Sequence, residues 1–258
     1  EDFPHFDRSP RPRVAYAGMM QYDGDALVPA RYLVSPPGIT HTMGEYLAAS
    51  GVSQLAVSET QKFGHVTYFF NGNRTGKFDE RLEDYIEIPS DRVPFEQRPW
   101  MKAAEITDTV VEAVGANRHR FIRLNYANGD MVGHTGILPA VRIAVEAVDL
   151  CLGRVVDAVR RADGILIASA DHGNSDDMFE RDKKSGEVLI DPDSGQPKTK
   201  TAHSLNPVPV HIFEPTGRVS MRLSGQPELG ISSLAATTLR LLGFEPPHDY
   251  TPSIVDLG

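Results

Sequence analysis

The chain has 258 residues, of which 40% are hydrophobic and 24% charged, a balance typical of a globular protein that buries a core. Its formal net charge is −9, with acids and bases mixed along the chain, which argues against a nucleic-acid-binding protein. We find no signal-peptide pattern and no apolar run near about 18 residues, so neither secretion nor a membrane span is predicted.

Strands and helices alternate along most of the sequence. In chain order, the pattern predicts strands at 13–18 and 26–34, a helix at 40–51, strands at 54–59 and 84–90, a helix at 102–115, a strand at 120–127, a helix at 138–162, strands at 164–170 and 208–214, and a helix at 232–243. The aromatic-rich segment 65–72 fits a strand less clearly, and the stiff "SPPG" at 35–38 marks a hinge or domain boundary. The succession predicts an α/β fold in which helices sandwich a mostly parallel sheet and functional residues follow the carboxyl ends of strands.

Three loops near predicted strands carry side chains that bind cations. Asp130 and His134 stand four residues apart, one helical turn if the segment is helical, so both can face one ion. Asp171 and His172 come directly after a strand, and His203 precedes a proline-braced turn. Five candidate ligands exceed what one tetrahedral centre with an open position needs. They suggest two ions, an arrangement that clamps a phosphoryl group.

Carboxylate and imidazole donors without thiolate suit Mn²⁺ or Zn²⁺ rather than a cysteine-based structural site. Each piece alone also has a plainer interpretation, as a hydrogen-bonded cap or surface pair. The single cysteine, Cys151, rules out a disulfide within the chain and fits a cytoplasmic protein. The remaining histidines that stand without such company are interpreted as structural, namely His65, His119, His211 and His248.

Several longer strings carry a family resemblance. "NGDMVGHTG", "SADHGN", "TAHSLNPVPV" and "SETQKFGHVTYFFNG", together with "RPWMKAAEITD", closely resemble the cofactor-independent phosphoglycerate mutases. The resemblance extends from about residue 13 to the end. It implies the alkaline-phosphatase-like superfamily and an isomerase that interconverts 3- and 2-phosphoglycerate in glycolysis and gluconeogenesis.

The resemblance also implies roles for the candidate ligands. Asp130, His134 and His203 match three ligands of one Mn²⁺, and Asp171 and His172 match two ligands of a second, with Co²⁺ or Zn²⁺ as alternative ions. A further match is Lys62, which corresponds to a lysine near the phosphoryl group, where its charge would stabilise transferred oxygens. Gln61 and Gly129 depart from the common family residues, but neither removes a ligand.

In the family, an aspartate near the amino terminus and a nucleophilic serine complete the second ion site, and neither is found here. We therefore expect this chain to be the carboxyl-terminal half of such a mutase. Residues 1–34 would be the tail of the inserted phosphotransferase domain, and residues 35–258 an incomplete metal-binding domain. We also expect the amino-terminal segment to add a strand to the same sheet, so that the chain alone exposes an edge and is marginally stable or self-associates.

Three functions follow as hypotheses. The first is phosphoryl transfer between the hydroxyls of phosphoglycerate, a small-molecule substrate, through a phosphoserine and two metal ions, in a monomeric parent protein. The second is a phosphatase or sulfatase of the same superfamily. The third is a catalytically silent metal-binding module, which applies to the isolated chain because it lacks the serine.

Overall fold

The computed structural model describes residues 7, 13–21, 28–35 and 37–258. The helices are α1 Met43–Ala49, α2 Thr60–Gly64, α3 Ala103–Ala116, α4 Asn128–Gly133, α5 Leu138–Arg161 and α6 Ser233–Leu241, with a π-helix at His65–Phe69 and a 3₁₀ turn at Phe95–Gln97. The strands are β1 Gly18–Met20, β2 Tyr32–Val34, β3 Gln54–Glu59, β4 Glu83–Ile88, β5 Phe121–Asn125, β6 Leu166–Ser169, β7 Val210–Phe213, β8 Met221–Leu223 and β9 Val255–Leu257.

A parallel sheet of three strands lies at the centre of the fold, in the order β4-β3-β5. Every residue of β3 is buried, as expected for a parallel strand covered on both faces. On one face, Leu55 and Val57 pack with Ile106 of α3 and Val155 of α5. The predicted α/β class with parallel strands is confirmed by this arrangement.

The remaining strands form pairs. β6 and β7, which correspond to the predicted strands at 164–170 and 208–214, are antiparallel to each other. β8 and β9 also pair antiparallel, and the sequence did not predict them because three residues are too few for a periodic pattern. β1 and β2 pair in parallel.

The aromatic segment after α2 is a π-helix rather than a strand. The Thr67 hydroxyl donates to the carbonyl of Phe63 at 2.7 Å, and Arg123 Nε donates to the carbonyl of Val66 at 2.7 Å. The buried guanidinium of Arg123 also lies 4.1 Å from the ring centre of Phe70. The contacts of Arg123, which lies on β5, override the β propensity of the aromatic residues, and they fix the helical segment that follows Lys62.

The predicted domain division stays a prediction. Parts of the 1–34 tail, and residue 36 of the predicted 35–38 hinge, lie outside the described residues. Among the described residues, the helices are too short or too polar to cross a membrane.

A groove of about 480 Å³ lies between β5, β6 and α5. Its walls are largely apolar and include Tyr126, Val148, Leu152 and Ile167. At one end the groove reaches Asp130, so the sheet edge and the candidate metal ligands border the same space.

Candidate metal centre

Each candidate side chain is positioned by the element next to it. β3 ends at Glu59, and the short helix α2 that follows carries Lys62, whose side chain is buried. β5 ends at Asn125, and α4 then presents Asp130, with His134 at its carboxyl end. Because β3 and β5 are parallel neighbours, their carboxyl ends meet at one edge of the sheet. The Asp171–His172 pair follows β6, and His203 lies in the loop before β7.

Asp130 is the centre of the cluster. Its Oδ1 lies 3.1 Å from His134 Nε2 and 3.1 Å from His203 Nε2. Its Oδ2 contacts the ammonium of Lys62 and lies 4.0 Å from His172 Nε2. One carboxylate thus gathers three imidazoles and a lysine from four separate segments.

The segment between β6 and β7 brings the carboxylate of Asp171 and the stacked rings of His172 and His203 to the cluster. His172 Nε2 lies 3.5 Å from Asp171 Oδ2, and the rings of His172 and His203 stack with centres 3.5 Å apart. Ligand atoms of Asp130, His172 and His203 all lie within 4.8 Å of one another. This group draws one member from the pair that the resemblance assigns to a second ion, so the division of ligands between two ions stays a prediction.

The electrostatics of the cluster favour a charged carboxylate at its centre. Burial acts to raise the pKa of Asp130, but the hydrogen bond and charge of Lys62, aided by His172 and His203, hold that pKa below its usual value. Asp130 therefore offers an anionic oxygen at neutral pH, as a metal ligand must.

The donor set fits a divalent cation. Two carboxylates and three imidazoles, without thiolate, are ligands that Mn²⁺, Co²⁺ and Zn²⁺ accept. The second ring nitrogen of His172, Nδ1, is buried and has no hydrogen-bond partner among the described residues. The ring orientation is thus set by its stacking on His203 and by the acids that face Nε2.

Two further residues of this region were not singled out from the sequence. His65, interpreted as structural, follows Lys62 by one helical turn. The pKa of His65 is lowered overall, because desolvation and the charge of Lys62 outweigh Asp171 and Asp130, which act to raise it. The ring of His65 therefore lies within electrostatic reach of the cluster. Asn174 is buried and donates through Nδ2 to Asp130 Oδ1 at 2.8 Å. The only sequence signal for Asn174 was its place in the "SADHGN" string.

The class of protein follows from comparison with known families. A family model described as the metalloenzyme superfamily matches residues 4–246, and the chain belongs to that superfamily. The resemblance to cofactor-independent phosphoglycerate mutases is confirmed by curated relatives that are named as 2,3-bisphosphoglycerate-independent phosphoglycerate mutases.

The chain is 51% identical to the 2,3-bisphosphoglycerate-independent phosphoglycerate mutase of Trypanosoma brucei brucei, with 100% of the chain and 47% of the relative covered. It is 47% identical to mutase 1 of Arabidopsis thaliana, covering 100% of the chain and 46% of that protein. A solved structure of Leishmania mexicana phosphoglycerate mutase at low cobalt concentration superposes with a TM-score of 0.89 at 50% identity, and the match covers 100% of this chain and 47% of that one. The chain therefore spans just under half the length of these relatives.

Proposed function

We propose that this chain is the metal-binding half of a phosphoglycerate mutase that holds two divalent ions, with Mn²⁺ as the favoured ion. The observation that carries the proposal is the convergence of Asp130 with three imidazoles and Lys62 at one edge of the sheet. Relatives that match the whole chain are named as mutases, which supports this activity over phosphatase or sulfatase activity.

The residues of the cluster take distinct roles in this proposal. Asp130, His134 and His203 hold one ion, while Asp171 and His172 supply part of a second site. When bound, the ions would polarise phosphoryl oxygens and favour the deprotonated form of a nucleophilic serine. Lys62 holds the transferred phosphoryl group through its positive charge, in a site whose burial strengthens that attraction.

The serine and one further aspartate lie outside these 258 residues in this proposal. The whole protein moves the phosphoryl group between the two hydroxyls of glycerate through a phosphoserine, and the chain alone performs no turnover. A cytoplasmic location and a monomeric parent protein stay predictions.

Titration of this chain with Mn²⁺ by calorimetry tests the proposal. We expect one ion per chain, and we expect Asp130→Ala to abolish that binding because the central carboxylate is lost. Asp193→Ala is the matched control, since it removes an exposed aspartate from a turn. Binding of two ions would show that ligands within the chain complete the second site, contradicting the role given to the missing serine and aspartate. Absence of binding would overturn the metal assignment.

For the full-length protein, an assay of phosphate release separates a mutase from a hydrolase. A mutase conserves the phosphoryl group on glycerate, so 2-phosphoglycerate forms without free phosphate. Stoichiometric release of phosphate would contradict the proposed reaction.

A further inference from the structure

We infer that the four residues that follow Gly173, namely Asn174, Ser175, Asp176 and Asp177, form a clasp that positions the metal ligands of all three loops. This inference rests on the proposed metal-binding function and adds positioning residues to it. The proposed ligand roles leave these four side chains without a function, yet every one of them binds another ligand-bearing segment.

One half of the clasp holds α4. Asn174 Nδ2 donates to Asp130 Oδ1 at 2.8 Å and lies 3.1 Å from His134 Nε2, so a single amide faces ligand atoms of two proposed ligands. A carboxylate only accepts hydrogen bonds, so the amide NH₂ must be the group that faces Asp130. The Ser175 hydroxyl donates to the carbonyl of Gly129, one residue before Asp130.

Close approach of the backbones makes this contact possible. A Cβ atom added to Gly133 would lie 2.2 Å from Asn174 Oδ1, which is far inside van der Waals contact. The side chain of Asn174 therefore rests directly on the backbone of α4, and glycine at position 133 leaves room for it.

The other half of the clasp holds the loop that carries His203. Asp176 Oδ2 accepts a hydrogen bond from the Ser204 hydroxyl at 2.9 Å, and it also accepts one from Asn206 Nδ2. Asp177 Oδ2 accepts from the ammonium of Lys200 at 2.6 Å. These contacts lie on both sides of His203 in sequence, so they fix the segment that presents its ring.

A backbone bond joins the same two loops. The Ser204 N–H donates to the carbonyl of Gly173 at 2.9 Å. A Cβ atom added to Gly173 would lie 2.1 Å from the side-chain oxygen Oγ of Ser204. His172 directly precedes Gly173 in the sequence, and His203 directly precedes Ser204, so this hydrogen bond lies next to the two stacked rings. The clasp thus sets the spacing of those rings as well as the spacing of Asp130 and His134.

Positioning has a measurable consequence for cation affinity. The ligands come from loops, which a cation must otherwise order at an entropic cost. Groups that hydrogen-bond to ligands typically change metal affinity by about 10- to 100-fold when they are removed. We therefore expect the clasp, whose contacts are polar, to act on affinity more than on the stability of the fold. One apolar cluster packs between the sheet and helices α3 and α5, and a second packs α4 and Met178 against α5.

The experiment compares Mn²⁺ affinity, by calorimetry, in this chain and in variants from each half of the clasp. Asn174→Ala and Asp176→Asn should each weaken binding about 10- to 100-fold. Asp182→Asn is the matched control, because it also removes one negative charge but from an exposed turn that caps Lys184 and Ser185. The control should bind as tightly as the unchanged chain.

The metal-free thermal midpoints of all variants show whether each one folds. If Asn174→Ala does not fold, Asp176→Asn decides the question, since it keeps the shape of the side chain. Folded variants that bind Mn²⁺ as tightly as the unchanged chain would overturn the clasp and leave the metal site standing. If the unchanged chain itself binds no Mn²⁺, the proposed function fails and the clasp fails with it.

Discussion

At the scale of single residues, Asp130 gathers one positive charge and three imidazoles, while a different carboxylate in the same region is buried without a full charge partner. Glu59 ends β3 and is completely buried. Its Oε2 accepts from the Ser90 hydroxyl at 2.8 Å and its Oε1 accepts from the Lys102 N–H at 3.3 Å. These bonds tie the strand that leads to Lys62 to the start of α3.

Burial raises the pKa of Glu59, while hydrogen bonds from Ser90 and Lys102 act in the opposite direction. The folded chain therefore binds this proton more tightly than the unfolded chain does. The stability that this proton binding contributes is fully present below the pKa of Glu59 in the unfolded chain. It is lost as pH rises through the pKa of Glu59 in the folded chain. We predict that Glu59→Gln raises the free energy of unfolding at pH 7, because the amide carries no buried charge: its carbonyl accepts from the Lys102 N–H, and its NH₂ group donates to the Ser90 hydroxyl oxygen.

Urea unfolding of the metal-free chain at several pH values measures this effect. The advantage of Glu59→Gln should shrink as pH falls toward 4.5, the ordinary pKa of a glutamate carboxyl, because the native carboxyl is then neutral as well. Glu112→Gln, at an exposed position of α3, is the matched control and should show no such trend. A variant less stable than the parent at pH 7 would mean that the carboxylate charge is favourable where it lies.

At the scale of elements, α3 shows why most of the fold is readable from the sequence. Its apolar residues recur at helical spacing, and Ile106 and Val110 are buried against the sheet as that spacing requires. The prediction of this helix was wrong by only one residue at each end.

Ile106→Ala tests how much that packing contributes. Ile106 is 0% exposed, so its truncation should lower the free energy of unfolding by about 2–5 kcal/mol. Ile143→Ala on α5 makes the same chemical change at a side chain that is 44% exposed, and it should cost about 0.5 kcal/mol or less. Equal losses in urea unfolding would show that the core between α3 and the sheet is not packed as described.

The sequence was less informative where tertiary contacts override local preference. Residues 65–72 are rich in aromatic and β-branched side chains, yet Arg123 on β5 holds the first of them in a π-helix. The candidate ligands were singled out from the sequence because predicted parallel strands deliver their carboxyl ends to one edge of a sheet, and their role as ligands stays a prediction. Asn174 was missed because a single asparagine after the Asp171–His172 pair forms no recognisable spacing pattern. Only the close approach of α4 at Gly133 reveals its hydrogen-bond partner.

At the scale of the whole molecule, the groove between β5 and β6 has the form that an additional strand would need. Within residues 37–258, β5 pairs only with β3 and β6 only with β7, so each leaves an edge facing the groove. An unpaired edge beside apolar walls costs stability and promotes association. We propose that the amino-terminal segment of the full-length protein occupies this groove, as the resemblance implies, and that the chain alone unfolds at a lower urea concentration than the full-length protein.

Two leucines on α5 allow a test of whether the amino-terminal segment occupies the groove. Leu152 lines the groove, whereas Leu150 is 73% exposed on another side of the same helix. In the full-length protein, Leu152→Glu should cost about 3 kcal/mol or more, because a charge would replace an apolar contact beneath the added strand. In the isolated chain the same change should cost far less, since the groove stays open to water, and Leu150→Glu should be nearly neutral in both. If Leu152→Glu has the same effect on the urea midpoint of the chain and of the full-length protein, the groove is not where the missing half binds. If it is costly only in the full-length protein, the groove holds the added strand. The predicted lack of mutase turnover by the isolated chain then has the same cause, because the segment that fills the groove is also the one proposed to bring the nucleophile to Asp171 and His172.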